Sequence, residues 1–166
     1  MTVIVPYVAG MLHEQTEAWA KARGRDTELV ELDRANDAAY WILLSSHWRN
    51  PRYSNEDLLI VEQDMLPADG VVDEMLACRW GWCSSPYEVA NRQQITDGLG
   101  VTKFSAALKA LRPQFMIEVG AIADDGLPAH DWRRLDTRIS RVLRAAGHTP
   151  HIHAASTHLH DYQARP

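Results

Sequence analysis

Asp57-Leu58-Leu59-Ile60-Val61-Glu62-Gln63-Asp64 is the stretch on which the fold turns. Four consecutive apolar residues bounded by acids imply a strand buried on both faces, the pattern of a parallel sheet. Toward the amino end, Thr2-Val3-Ile4-Val5-Pro6-Tyr7-Val8 is a β-branched run that Pro6 ends or bends. Leu12 to Ala22 sets Leu12, Thr16, Trp19 and Ala20 near one helical face and stops at Arg23-Gly24-Arg25. Thr27 to Asp33 is a second strand centred on Leu29 to Leu32. Strand, helix, strand over residues 1–33 is a βαβ unit, which again predicts a parallel sheet.

Toward the carboxyl end the reading is mixed. Residues 36–49 look helical, with Ala38, Ile42 and Ser45 inward, until Asn50-Pro51-Arg52 breaks the pattern. Val71 to Leu76 fits a short helix, and residues 77–100 read as loop and short strand. Thr102 to Leu111 predicts an amphipathic helix with Phe104, Leu108 and Leu111 inward. Trp132 to Ala146 predicts another, with Trp132, Leu135, Ile139, Val142 and Leu143 on one stripe and Gly147 as its cap. From His148 onward the chain is irregular or a short strand.

With 166 residues, the chain is the size of one domain. A net charge of −5 argues against general nucleic-acid binding. The longest apolar runs are a handful of residues, so no membrane span is expected. The opening Met1-Thr2-Val3-Ile4-Val5-Pro6 does not read as a signal peptide, and a cytoplasmic protein is expected. Cys78 and Cys83, the two cysteines, are expected to be reduced, partly buried thiols, because zinc sites need more ligands at tighter spacing; a local disulfide is the other reading.

Several groups carry chemistry. Glu62 and Asp64 lie i, i+2 at the carboxyl end of a buried strand, so both side chains can share a face where open α/β sheets bind ligands. Oxygen ligands there suit Mg²⁺ or Mn²⁺, although an acidic turn with Asp64 bonded to backbone amides fits as well. Asp33 ends the second strand, where a carboxylate can hold a ribose or a base edge. Neither G-x-G-x-x-G nor a P-loop follows the first strand, which argues against a Rossmann dehydrogenase and a P-loop kinase. Five of the 8 histidines fall between His148 and His160, and two i, i+2 pairs, His151 with His153 and His158 with His160, can complete a metal site begun elsewhere or belong to a solvated end. In Asp131-Trp132-Arg133-Arg134-Leu135-Asp136, Asp131 suits a helix cap, whereas Asp136 is a general base or an ion-pair partner of Arg133 or Arg141. Trp80, Trp82 and Tyr87 lie on one loop where rings can stack on a sugar or pack inward.

Taken in order, these residues resemble a minimal GT-A glycosyltransferase of the family-2-like type: α/β, one domain, a mostly parallel sheet flanked by helices. Val3-Ile4-Val5-Pro6-Tyr7 resembles the opening strand whose Pro6 and Tyr7 contact the nucleotide, and Val30-Glu31-Leu32-Asp33 the strand whose acid holds the base. Leu59 to Asp64 resembles the strand bearing the DxD-type motif, here Glu-Gln-Asp, with Asp64 as metal ligand. Arg133-Arg134-Leu135-Asp136 resembles the element that supplies the base of inverting members, and Gly147, eleven residues after Asp136, favours Asp136 for that role. The family's closing histidine is matched best by His158, with His160 and His153 as rivals.

The resemblance implies a nucleotide-diphosphate sugar as donor, Mn²⁺ or Mg²⁺ as cofactor, Glu62 orienting the donor, and an acceptor hydroxyl. Residues 1–67 would form the nucleotide-sugar half. Residues 68–166 would carry the acceptor loop with Trp80, Trp82 and Tyr87, the base-bearing helix and the metal-completing tail. Family cores are usually longer, so the acceptor half is trimmed or supplied by a partner, and a homo-oligomer stays open. A metal-dependent phosphoesterase and a non-catalytic nucleotide-sugar-binding module are the competing readings.

Overall fold

Leu58–Val61, all four residues buried, form the third strand of a six-stranded sheet. The computed structural model describes residues 2–89, 93–122 and 126–159. In spatial order the sheet holds β2 (Thr27–Leu32), β1 (Thr2–Val8), β3 (Leu58–Val61), β8 (Val101–Phe104), β5 (Trp82–Ser84) and β9 (His151–Ile152). β1 pairs in parallel with β2 and β3, and β5 in parallel with β9. Only β8 runs antiparallel to its neighbours β3 and β5. Two small pairs lie outside this sheet: β4 (Met65–Leu66) with β10 (Thr157–His158), and β6 (Tyr87–Glu88) with β7 (Gln94–Ile95).

Strand alternation divides the core into two layers. Ile4, Leu58, Ile60, Trp82 and Phe104 point to one face. There they meet Leu44 and Trp48 of α2 (Ala39–Arg49), Phe115 and Val119 of α6 (Phe115–Gly120), and Leu135, Ile139 and Leu143 of α7 (Leu135–Ala145). Val3, Val5, Leu59, Val61, Cys83 and Val101 point to the other face. They pack on Ala20 of α1 (Glu14–Arg23) and on Val71, Val72 and Met75 of α4 (Val71–Ala77). The result is a mixed α/β domain with helices on both sides of a mostly parallel sheet.

The βαβ unit, the buried strand after Asp57 and the final helix stand where their sequence patterns put them. Other expectations are corrected. Pro6 does not end β1, which continues to Val8. β1 pairs with β3 only over Thr2–Ile4, so at Pro6 that side of the ladder has already stopped and the missing N–H costs no bond there. Thr102 to Leu111 is not one helix: β8 ends at Phe104, and Ser105 caps α5 (Ala106–Leu111) by accepting the Leu108 N–H, with Leu111 exposed. In α2 the buried stripe is Tyr40, Leu44 and Trp48 rather than Ala38 and Ile42, because the rings bury more apolar surface and their polar tips find acceptors. The Trp48 indole donates to the Arg112 carbonyl at 2.8 Å. Asn50-Pro51 stops α2 and then starts α3 (Pro51–Ser54), with Asn50 as cap and proline in the first turn. Before α7, a 3₁₀ turn lifts Trp132 into solvent.

Candidate functional site

β1, β2 and β3 run the same way, so their carboxyl ends meet at one edge of the sheet. A cleft of about 480 Å³ opens there. Pro6 and Val8 form one wall, Asp33 to Asp37 another, Glu62 to Asp64 the floor, and Trp132 and Arg133 the far rim. Local hydrogen bonds set these segments. The Asp33 carboxylate accepts the Ala35 N–H at 2.9 Å, which folds the loop after β2. The Gln63 side chain accepts the Val8 N–H at 2.8 Å and its carbonyl accepts the His13 N–H at 2.9 Å, so the end of β1 is tied to the end of β3.

Glu62 is the electrostatic centre. The Tyr40 hydroxyl donates to its carboxyl group at 3.1 Å. Burial, reinforced by the negative charges of Asp64 and Asp136, raises its pKa from 4.5 to about 8. Glu62 is therefore largely protonated at neutral pH and can donate a hydrogen bond. Burial, then the charges of Glu62 and Asp136, also raise the Tyr87 and Tyr40 phenols, so both remain neutral donors.

Asp64 and His158 meet here from opposite ends of the fold. β10 pairs antiparallel with β4, setting His158 opposite Met65, and the Leu159 N–H donates to the Asp64 carbonyl at 2.8 Å. The His158 Nε2 atom lies 3.2 Å from the Asp64 carboxylate, and the Tyr87 ring lies against the imidazole. Tyr87 is held in turn by two glycines: a Cβ at Gly98 would lie 2.4 Å from its hydroxyl, and one at Gly100 2.6 Å from its ring. Ser85 docks the tail upstream of β10, where its hydroxyl donates to the Ala154 carbonyl at 2.5 Å.

Asp136 stands in the first turn of α7, where its carboxylate accepts the Thr137 N–H at 2.6 Å. Its charge is felt by Glu62, Tyr40 and Tyr87, which puts it on the site's side of the sheet. Asp131 is the cap: buried, it accepts the Arg133 N–H and pairs with the Arg133 guanidinium.

The structure thus brings together Pro6, Asp33, Glu62 and Asp64 in the cleft wall, with Asp136, His158 and Tyr87 close by. It does not bring in the other candidates. Tyr7 points away, its hydroxyl donating to Glu31 at 3.2 Å, because alternate strand residues face opposite sides. Trp82 is a core residue, 2 % exposed, and offers no face to a sugar. Trp80 is 57 % exposed but precedes β5, at the amino edge of the sheet opposite the cleft, where it stacks on His151. His153 sits beside Cys78 and Cys83 instead of Asp64. His160 lies outside the described residues. Tyr40, Gln63 and Arg133 complete the cleft without a sequence signal: each needed the tertiary fold to reach it.

Asp64 and His158 set a carboxylate oxygen and an imidazole nitrogen 3.2 Å apart, atoms of the kind that can ligate a divalent cation, but among the described residues they do not form a three-ligand group with Glu62. Arg34 and Arg133 also line the cleft and bring positive charge to the same space.

No family model and no curated protein matches the sequence. Solved structures do share its fold. One is a glycosyltransferase involved in the glycosylation of the major capsid of PBCV-1, 11 % identical, with a TM-score of 0.55 over 97 % of this chain and 94 % of that one. Another is A197 from STIV, 15 % identical, with a TM-score of 0.51 over 94 % of this chain and 83 % of that one. The architecture is therefore glycosyltransferase-like, and the expected fold class is the one found.

Proposed function

We propose that the chain is a metal-dependent glycosyltransferase that moves a sugar from a nucleotide diphosphate to an acceptor hydroxyl with inversion. The observation that carries this is the pairing of Asp64 with His158 across 94 residues, at the floor of a nucleotide-sized cleft in a glycosyltransferase-like fold. Asp33 would receive the base or ribose, and Arg34 and Arg133 the diphosphate. Asp64 and His158 would hold Mn²⁺ or Mg²⁺. When bound, the ion stabilises charge on the leaving diphosphate. Glu62, kept protonated and held by Tyr40, would orient the donor sugar through a hydrogen bond to a hydroxyl or phosphate oxygen. Asp136 would take the acceptor proton as the acceptor oxygen bonds to the anomeric carbon and the carbon–phosphate oxygen bond breaks.

The test is a thermal-shift and transfer screen of UDP-, GDP- and dTDP-sugars with and without Mn²⁺, on wild type and two variants. One nucleotide should stabilise the wild type only with metal, by about 2.7 kcal/mol at a hundredfold excess over Kd. Asp64→Ala should lose that shift. Asp136→Asn should keep it and transfer roughly 10²–10⁴-fold more slowly. Equal transfer by wild type and Asp64→Ala would overturn the metal role. Nucleotide cleavage indifferent to any sugar acceptor would make the chain a phosphoesterase, and binding without turnover a binding module.

A further inference from the structure

Among the described residues, one three-ligand group lies away from the cleft: Cys78, Cys83 and His153, whose sulfur and nitrogen atoms are all within 4.8 Å of one another. Cys83 lies on β5 and faces α4, Cys78 ends α4, and His153 follows β9 in the tail. Both cysteines are free thiols. The His153 side chain is 8 % exposed, and its Nε2 atom is buried with no hydrogen-bond partner. A buried imidazole nitrogen left unpaired costs free energy unless something fills the gap.

We infer that Cys78, Cys83 and His153 form a structural site for Zn²⁺ or a similarly thiophilic divalent cation, separate from the cleft. Tetrahedral zinc with two sulfurs and one nitrogen sets its ligand atoms about 3.5–3.8 Å apart, so the group has only to tighten slightly. The surroundings supply the supporting contacts such a site uses. The His153 Nδ1 atom lies 3.7 Å from the Glu74 carboxylate, and tightening to hydrogen-bond distance would keep the proton on that nitrogen and leave Nε2 to ligate. The Lys103 ammonium, fully buried, donates to the Cys78 carbonyl at 2.5 Å, and its charge partly offsets the burial that pushes the Cys83 thiol up to about 12. Three protein ligands leave a fourth position for water.

The site has a structural purpose. β9 holds only two residues, both exposed, and a two-residue edge strand is a weak fastening. A metal joining His153 to Cys83 and Cys78 would clamp the tail to β5 and to the end of α4, and that tail carries His158.

The experiment uses the reduced full chain and Co²⁺ as probe. One equivalent should give a thiolate-to-cobalt charge-transfer band in the near ultraviolet. Zn²⁺ should abolish the band, and excess Mg²⁺ should not. Cys83→Ser and His153→Gln should each lose the band or weaken cobalt binding at least tenfold, and Glu74→Ala should weaken it about 10–100-fold. Asp64→Ala should leave the band intact, which separates this site from the proposed catalytic one. Reduced wild type without a thiolate band overturns the site whatever the variants do. Undiminished cobalt affinity in His153→Gln, or loss of the band in Asp64→Ala, overturns it as well.

Discussion

Glu62 carries a pH signature that can be measured without a substrate. Its pKa in the fold is about 8, above the 4.5 of an ordinary glutamate. Between those values the native state holds a proton that the unfolded chain releases, so stability is full below about pH 4.5 and falls as pH rises toward 8. Glu62→Gln removes the titration. Without metal, and with chelator present, the variant should match wild type near pH 4 and exceed it by about 1–3 kcal/mol near pH 9, read from urea melts. A variant whose melts track wild type at both pH values would show that Glu62 is not desolvated as described. The residues of the site divide by how they could be read. Asp33, Glu62, Asp64 and Asp136 are polar groups at ends of strongly patterned elements, and position alone marks them. His158 stood out only as one of a cluster of histidines, and it takes the β4–β10 pairing to set it beside Asp64. Trp82 was not legible, because an indole looks the same in sequence whether it meets a sugar or Phe104.

Among the elements, β8 shows why pattern reading stops. Phe104, Leu108 and Leu111 repeat at helical spacing, and Lys103 looks like the polar face of that helix. In the fold Lys103 is fully buried in a central strand, its charge met by the Cys78 carbonyl and Asp57. Those partners come from distant segments, so no local window reveals them. By contrast β3 and the Leu135–Leu143 part of α7 are read correctly, because an unbroken apolar run and a helical repeat each mark burial directly. The β7–β8 segment also props Tyr87 through Gly98 and Gly100. Gly100→Ala would drive a methyl group to 2.6 Å from the Tyr87 ring and 3.2 Å from the Met65 sulfur. It should cost about 1–3 kcal/mol in a denaturant melt, and the displaced ring should weaken metal-dependent donor binding by disturbing His158. An unchanged melt would show that Tyr87 is free to move.

For the molecule as a whole, the sheet reaches its last strand only through the tail. β9 covers the open edge of β5, and β10 carries His158 to β4. Ending the chain after Gly147 should expose the β5 edge, lower the melting temperature and promote self-association, seen as a concentration-dependent shift in gel filtration. It should also abolish metal-dependent donor binding. A truncated chain that stays monomeric and binds donor would contradict both roles of the tail. The parallel sheet and the burial of β3 followed from the βαβ unit and the apolar run after Asp57. The places of β5 and β9 did not, since strands of two or three residues have no period and are defined only by what they pair with.

The Asp64–His158 pairing also has an order in time. During synthesis Asp64 emerges 94 residues ahead of His158, so the strand ends that line the cleft can form on the ribosome before the two side chains meet. On the proposed reading, a chain interrupted before His158 would have the cleft wall but not the metal site.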